Sequence, residues 1–307
     1  MKLGLSVDSE WVRSVLFDSN KNLIYRNQQK TLHSPQSTTD LIIKMARSMQ
    51  RMFGPFTQIG LTVMPDCWQA DHKESKAELA QSITAQLAIP CHLFEPAVIA
   101  LTQVGDLPKG NILSAVLDDG CDLCVADELW HRDPEGNVLD LCWAHQPLKG
   151  YESLIDGITP LCWCGSDECV RQYVSQKGVE RQYHQLSLQS DSASHILNGI
   201  EDTHGWSARI YRIWVDQLAR ALCDPVTCFR PALLILSGSL ILRRDLALTL
   251  KSSLSRYCPC EVLPEIVCLC GDEFRFAQGA SSIHSVKTLK RPTFESRGVL
   301  TLTGKIV

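Results

Sequence analysis

The amino-acid sequence predicts an α/β protein of two domains. Its 307 residues suffice for two domains of ordinary size, and 45% of them are hydrophobic, so a large core can form. Strand-length apolar runs alternate with helix-spaced apolar positions in the first third of the chain, and a second set of strands begins near residue 111. The same length and composition exclude a small disulfide-bonded protein and a disordered chain.

The predicted elements of the first half follow from hydrophobic spacing. Apolar runs predict strands, and apolar residues three and four positions apart predict helices. In chain order the elements are a hairpin of residues 3–7 and 12–17, a helix through Ile42 and Met52 capped by Thr38 or Thr39, a strand at 59–64, a helix with a capping box at Ser75 and Glu78, a strand at 91–94 and a helix at 98–104. Strand and helix therefore alternate, as in an α/β domain.

The second half shows the same alternation. In chain order its elements are strands at 111–117 and 124–126, a long helix whose apolar stripe runs from Ile210 to Leu222 and ends at Asp224-Pro225, a strand at 232–236, a turn at 237–239 and a helix at 245–254. The residues after Lys287 have no clear periodicity, which predicts an exposed tail.

Charge and hydropathy limit the expected partners. The 30 Lys and Arg residues stand against 34 Asp and Glu, so no overall positive field attracts nucleic acid or an anionic membrane. Residues 1–8 lack the apolar core of an export signal, and no apolar run reaches the ~18 residues of a spanning helix. We therefore expect a cytoplasmic protein without a membrane segment.

The spacing of the cysteines points to a metal. The chain has 14 cysteines, which stay reduced in a cytosol. Cys162, Cys164 and Cys169 fall within eight residues, and with His145 they offer the four ligands of tetrahedral zinc. Gly165 permits the tight turn between them. Four protein ligands leave no open position, so the expected zinc is structural; a chance cluster in a cysteine-rich chain is the alternative.

A second cysteine pattern is weaker. Two Cys-x-Cys pairs, at residues 258–260 and 268–270, contain Cys258, Cys260, Cys268 and Cys270 and offer four thiols. Strand-like residues surround them, and no glycine turn separates the members of either pair. Buried free thiols on adjacent strands are the preferred interpretation, and a second metal site is the alternative.

The metal motif resembles that of a known family. His145-Gln146-Pro147-Leu148 followed by Cys162-x-Cys164-Gly165-x-x-x-Cys169 resembles the zinc motif of the ROK family (repressors, open reading frames and kinases). All four ligands match, although Ala144 and Glu168 stand where the family has glycines. Weaker matches follow in the family's order along the chain: Gly60 to Pro65, Gly238, and Gly271 to Ala280.

The resemblance implies an architecture and a division of the chain. Members of the family that are sugar kinases have two actin-like, ribonuclease-H-like α/β domains, and ATP and sugar bind in the cleft between them. By this resemblance residues 1–117 form the N-terminal domain, residues 118–286 form the C-terminal domain with the zinc loop, and residues 287–307 form the tail.

The resemblance also aligns two phosphate-binding loops with acidic segments. The first loop falls on Ser6-Val7-Asp8-Ser9-Glu10-Trp11, and the second falls on Asp118-Asp119-Gly120-Cys121-Asp122-Leu123-Cys124. Glycine amides approach phosphate closely, whereas carboxylates repel it. We therefore expect ATP and magnesium to bind poorly. We interpret the second segment as a solvated hairpin turn, with weak binding of a hard cation as the alternative.

The catalytic and sugar-binding positions of the family are changed as well. The catalytic base falls on Pro96, which has no acid-base chemistry; Glu95 and Asp66 are the candidate substitutes. Two glutamates that bind the sugar fall on Cys142 and Arg171, and Cys142 cannot accept a charge-assisted hydrogen bond.

These changes favour a sugar-kinase homologue without catalytic activity. Its expected role is that of a sugar-binding, interaction or regulatory protein with a structural zinc, and its partner is a sugar, a sugar derivative or another protein; a homodimer stays open. The alternative is an ATP-dependent hexose or N-acetylhexosamine kinase with displaced catalytic residues. Direct DNA binding is not expected, because only Met1 and Lys2 precede the first strand and leave no room for a helix-turn-helix.

Overall fold

The protein is described from a computed structural model. The structure describes residues 1–31, 34–67, 73–105, 107–127, 138–200, 204–259, 262–283 and 288–289.

The first half forms a five-stranded sheet with helices. Its elements are β1 (Lys2–Val7), β2 (Trp11–Phe17), β3 (Leu23–Lys30), α1 (Pro35–Phe53), β4 (Gln58–Val63), α2 (Lys73–Leu87), β5 (Cys91–Phe94) and α3 (Pro96–Leu101). The strand order is β3-β2-β1-β4-β5. The strands β1, β2 and β3 are antiparallel neighbours, whereas β4 and β5 run parallel to β1. The predicted hairpin of β1 and β2 is confirmed.

The second half forms a six-stranded sheet. Its elements are β6 (Ile112–Leu117), β7 (Cys121–Ala126), β8 (Val138–Asp140), α4 (Ser153–Asp156), α5 (Arg171–Val174), α6 (Gln176–Ser187), α7 (Ala193–Asn198), α8 (Trp206–Phe229), β9 (Leu233–Ser237), α9 (Leu246–Tyr257), β10 (Glu265–Cys268), α10 (Arg275–Ser282) and β11 (Thr288–Leu289). The order is β10-β9-β6-β7-β8-β11.

Five strands of each sheet share one topology, and β11 adds a sixth strand to the second sheet, parallel to β8. In each, three antiparallel strands form a meander, and two later strands add in parallel beside the first strand of that meander. A helix precedes each added strand, as a parallel connection requires. The predicted α/β class with two actin-like halves is confirmed by this duplicated arrangement.

The core consists of three hydrophobic clusters. One lies between the first sheet and α1 and α2, and a larger one lies between the second sheet and α8. A third cluster joins the halves, because it contains Phe94 of β5, Ile99 of α3, Ile235 of β9 and Ala280 of α10. The cleft between the sheets is therefore closed at its base by packed apolar side chains.

Hydrogen bonds and packing cross the predicted domain boundary in both directions. The strand β6 pairs with β7 and β9 of the second sheet, and α10 packs against β1 and β4 of the first sheet. The division between residues 117 and 118 stays a prediction. Most of the predicted tail, residues 290–307, lies outside the described residues.

Several predicted helix ends are wrong. The cap of α1 is Ser34, whose hydroxyl accepts from the Ser37 amide at 3.1 Å, and Thr38 and Thr39 lie inside the helix. The helix α2 begins at Lys73, so the residues of the predicted capping box lie within it. Pro96 starts α3, since proline is well tolerated at the first helical position.

The helix α8 continues past the predicted stop at Asp224-Pro225 and ends at Phe229. Pro225 removes one backbone hydrogen bond, but the turn that follows it is anchored by Val226, which is 1% exposed. Tertiary packing therefore outweighs the local stop signal. No helix among the described residues combines the length and the apolar character needed to cross a membrane.

Two glycines let α10 lie directly on the first sheet. A Cβ atom on Gly4 would overlap the Ala277 carbonyl oxygen, and one on Gly60 would overlap the Ala280 carbonyl oxygen. Gly4 and Gly60 are paired neighbours on β1 and β4. This close approach holds the last described helix against the first sheet.

We expect Gly60→Ala to destabilise the protein by roughly 1–3 kcal/mol or more, because the added methyl group must push α10 away from β4. Urea unfolding measures the change as a lower transition midpoint. Gly105→Ala is the matched control, since a Cβ at Gly105 meets no atom within 4 Å. Equal midpoints for the two variants would contradict the prediction.

Candidate functional site

The predicted zinc ligands come together in one cluster. The ligand atoms of His145, Cys162, Cys164 and Cys169 all lie within 4.8 Å of one another. The Sγ atoms of Cys164 and Cys169 are 3.3 Å apart, and Cys162 Sγ lies 3.6 Å from His145 Nδ1. One imidazole and three thiols at this spacing suit a tetrahedral zinc ion. The structure thus brings the predicted set together as a candidate metal site.

Backbone hydrogen bonds shape the loop around the cluster. The Cys162 amide donates to the Ser166 carbonyl, and the Gly165 amide donates to the Cys162 carbonyl, both at 2.8 Å. Gly165 has a φ of +90°, which an L-residue rarely adopts. The Trp163 ring packs edge-on against the His145 ring with centroids 4.4 Å apart. The loop therefore presents its sulfur atoms to the histidine without a core of its own.

The described members of the other cysteine pattern form no second cluster. Cys258 follows α9 and is buried, Cys268 ends β10, and Cys260 lies outside the described residues. The prediction that these thiols occupy adjacent strands is wrong for Cys258, because α9 extends up to it. Within the described ranges the cluster at His145 is the only group of three or more metal-ligating side chains.

The two acidic loops face one cleft. A cavity of about 490 Å³ lies between the sheets, and Ser6 and Asp8 of the first loop line it together with Asp118 of the second. Gly238, in the turn after β9, lies on the same wall. The loops are also in direct contact, since the Ser9 amide donates to Asp119 Oδ2 at 3.3 Å. Segments far apart in sequence thus form one site.

The carboxylate of Asp8 is occupied within its own turn. Its Oδ1 atom accepts from the amides of Glu10 at 2.9 Å and Trp11 at 2.6 Å, and Oδ2 pairs with the Arg13 guanidinium. The backbone donors that an external anion would need are therefore already bound to an internal one.

At the second loop, the carboxylate of Asp118 is likewise bound by backbone amides. Its Oδ2 atom accepts from the Ser239 amide at 3.0 Å, and its Oδ1 atom accepts from the Asp119 amide at 2.9 Å. The residue is 6% exposed. Burial, together with the nearby charge of Asp119, raises the pKa of Asp118 to about 6. An anionic ligand at the Ser239 amide would have to displace this carboxylate.

The predicted base position holds a proline beside an unexpected carboxyl group. Pro96 is buried at the start of α3, and Glu95 precedes it as the N-cap residue. Asp122 Oδ2 accepts from the Ala97 amide at 3.1 Å. Burial and the charges of Glu95 and Asp140 raise the pKa of Asp122 to about 7.

The sequence did not predict that Asp122 lies beside Pro96. The residue was predicted in a solvated hairpin turn, but it lies in β7 and pairs with Val116 of β6. No sequence signal could have revealed its contact with α3, because residues 97 and 122 meet only through the packing of two separate elements.

The other predicted positions also have defined partners. Arg171 Nη2 forms an ion pair with Asp66 Oδ2 at 2.5 Å, and each side chain is less than one-fifth exposed. Burial raises the pKa of Asp66, although the Arg171 charge opposes this shift. The amide of Cys142 donates to Asp140 Oδ1 at 2.8 Å. Asp66, a candidate substitute base, is therefore held by a guanidinium group.

Similar proteins include sugar kinases. Residues 143–272 match the sequence model of the ROK family. An N-acetyl-D-glucosamine kinase of Haemophilus influenzae (strain 86-028NP) is 25% identical, over 78% of this chain and 84% of that protein. A ROK family glucokinase from Streptomyces griseus, solved in complex with glucose and AMPPNP, has a TM-score of 0.72 at 14% identity, with 91% of this chain and 97% of that chain covered. A ROK hexokinase from Thermus thermophilus has a TM-score of 0.68 at 16% identity, with coverages of 92% and 97%.

The chain therefore has the two-domain actin-like fold of the ROK kinases. Its segment 143–272 matches the ROK family model, and the chain is a homologue of the ROK sugar kinases.

We expect freshly purified protein to contain about one equivalent of zinc. Cys164→Ala should lower this to less than about half and destabilise the loop, because the metal replaces a missing local core. Elemental analysis measures the content, and Cys228→Ala, at an exposed cysteine outside the cluster, is the matched control. Zinc-free wild type would contradict the prediction, as would equal zinc in both variants.

Asp118 makes stability depend on pH. Its pKa in the folded protein, about 6, exceeds the ~3.9 of an unfolded chain, so its contribution is fully present below about pH 4 and is lost as pH rises through 6. Relative to Asp118→Asn, wild type should lose about 2–3 kcal/mol of unfolding free energy between about pH 4 and pH 7.5. Urea unfolding at both pH values measures this loss. A wild-type-to-variant difference that is constant with pH would refute it.

Proposed function

We propose that this protein is a sugar-binding member of the ROK family that has lost phosphoryl transfer and retains a structural zinc. The observation that supports the proposal most strongly is the pair of carboxylates in the cleft, Asp8 and Asp118, each bound to backbone amides of the loops aligned with the phosphate sites.

The negative charge of these loops opposes the binding of a nucleotide. Phosphoryl transfer requires donors and cations around the phosphates. At 4 Å and an effective dielectric constant of 20, one pair of like charges costs on the order of 4 kcal/mol. Asp119 adds a third carboxylate at the contact between the two loops. Bound ATP would have to displace carboxylates and overcome repulsion, which argues against tight binding.

The base position supports the same conclusion. Pro96 carries no titratable group, and the candidate substitute Asp66 is paired with Arg171. Removal of a general base alone typically costs ~10²–10⁴ in rate, and loss of phosphate positioning adds to that cost. The proposal therefore combines independent changes in phosphate binding and in proton abstraction.

A sugar is the proposed ligand because of what the similar proteins bind. The Haemophilus relative is an N-acetyl-D-glucosamine kinase, and the Streptomyces glucokinase structure contains glucose. We further propose a cytoplasmic setting, since the three cysteine ligands of the zinc site must remain thiolates rather than disulfides. Another protein as partner and a homodimer remain part of the proposal.

Asp122 and Glu95 favour a second candidate function, an ATP-dependent hexose or N-acetylhexosamine kinase. Asp122 brings a carboxyl group to the first turn of α3, beside the proline that stands at the base position. A pKa of about 7 is suited to a general base at neutral pH. In this alternative the carboxyl pair replaces the family's base.

Nucleotide binding and turnover distinguish the two candidates. We expect no saturable heat on titration with Mg-ATP below about 1 mM, and ADP release below ~1 per second with glucose, fructose, mannose, N-acetylglucosamine or N-acetylmannosamine. Calorimetry and a coupled ADP assay measure these quantities. Micromolar ATP binding with faster turnover, abolished by Asp122→Asn or Glu95→Gln, would replace the proposal with the kinase alternative.

Sugar binding is tested separately. We expect N-acetylglucosamine or glucose at saturating concentration to raise the melting temperature by several degrees, because a ligand that binds only the folded state stabilises it. Sorbitol at the same concentration is the control for the general stabilising effect of polyols. Equal shifts with sorbitol and with every cyclic sugar would rule out the sugar-binding proposal.

A further inference from the structure

A short segment beside the Cys/His loop exposes its apolar side chains and buries its polar ones. Asp156 is 2% exposed and Thr159 is 8% exposed. Five apolar side chains within ten consecutive residues of the same segment are far more exposed, and they are here called the apolar patch: Leu154 (99%), Ile155 (66%), Ile158 (75%), Leu161 (72%) and Trp163 (44%). This pattern is the reverse of the usual one, in which apolar side chains face the core.

The buried polar side chains fix the segment to the second half. The Asp156 carboxylate forms an ion pair with Arg220, accepts from Arg220 Nη1 at 3.1 Å and accepts from Gln217 Nε2 at 3.2 Å. The Thr159 hydroxyl donates to the Asp167 carbonyl oxygen. A buried carboxylate is costly unless it is paired and hydrogen-bonded, and here it is both. The polar groups therefore hold the side of the segment that faces the protein.

The backbone of the segment is anchored as well. Gln185 Nε2, on α6, donates to the Ile158 carbonyl oxygen at 2.9 Å, and Gln172 Nε2, on α5, donates to the Pro160 carbonyl oxygen at 2.8 Å. If the apolar side chains turned inward, these hydrogen bonds and the Asp156 ion pair would be lost. The exposure of the apolar patch is therefore built into the fold.

The exposed area of the apolar patch can be compared with what a stable dimer buries. A fully exposed aliphatic side chain has on the order of 100 Å² of apolar surface, and a tryptophan about twice that, so the patch presents roughly 400 Å². Each partner in a stable interface buries about 800 Å², of which roughly 60% is apolar. The patch therefore supplies most of the apolar surface that one partner of such an interface needs.

The lack of exposed charge in the segment favours a second copy of this chain as the occupant. Residues 153–163 contain a single acidic or basic residue, Asp156, which is buried and paired with Arg220. In a two-fold symmetric contact each side chain lies near its own equivalent, so an exposed charge would face a like charge. A neutral apolar surface avoids this repulsion, whereas interfaces with a different protein commonly use complementary charges.

We propose that the apolar patch is the interface of a homodimer, in which two copies of this chain meet face to face across a two-fold axis. The contact covers the five exposed side chains and leaves the cleft between the sheets open. The inference rests only on the homodimer included in the proposed function. Its test measures mass rather than ligand binding, so its failure is distinguishable from failure of the sugar-binding proposal.

The test is sedimentation equilibrium of the full-length protein over a range of micromolar concentrations. We expect twice the mass of one chain, with a dissociation constant in the micromolar range or below. In the double variant Leu154→Ser/Ile158→Ser the dissociation constant should rise at least about 100-fold, because a symmetric interface loses each apolar side chain twice. Hydrogen exchange should show slower exchange of the amides of residues 153–163 in the dimer than in the dissociated variant.

Leu248→Ser/Val262→Ser is the matched control. It removes two apolar side chains that are 76% and 83% exposed outside the apolar patch, so it should leave the dissociation constant unchanged. Melting curves verify that both double variants are folded. The proposal is overturned if the wild type is a monomer at every concentration, if the patch variant remains as dimeric as the wild type, or if the control variant dissociates equally.

Discussion

The buried carboxylate of Asp118 is the constraint on which the centre of the molecule depends. Its side chain accepts from the Ser239 amide after β9, its backbone amide donates to Gly120 in the turn before β7, and its carbonyl accepts from Gln176 at the start of α6. One residue thus fixes the ends of three elements around the cleft. Because it supplies negative charge at the Ser239 amide, it disfavours an anionic ligand at that amide.

Stability and function are linked at this site. Burial of an ionisable carboxyl group costs free energy at neutral pH, and the raised pKa of Asp118 is the measure of that cost. Under the proposed function, the internal carboxylates take the place of a bound phosphate at these loops.

Different interactions stabilise the Cys/His loop and the cleft. The loop around Cys162 and Cys169 is shaped by backbone hydrogen bonds and a tight turn, and the proposed metal would tie its thiols to His145. The cleft is held by packing, through the cluster shared by α3, β9 and α10 and through the glycines of β1 and β4 beneath α10. Metal loss should therefore affect the loop far more than the relation of the two sheets.

The sequence by itself determined the strands, most helices and the four side chains of the candidate metal site, because these depend on local periodicity and on potential ligands spaced over a short segment. Tertiary structure decided the rest. The continuation of α8 through Pro225 and the contact of Asp122 with Ala97 depend on packing between elements far apart in the chain. The occupation of the Ser239 amide by Asp118 spans 121 residues, and no local pattern encodes a hydrogen bond at that separation.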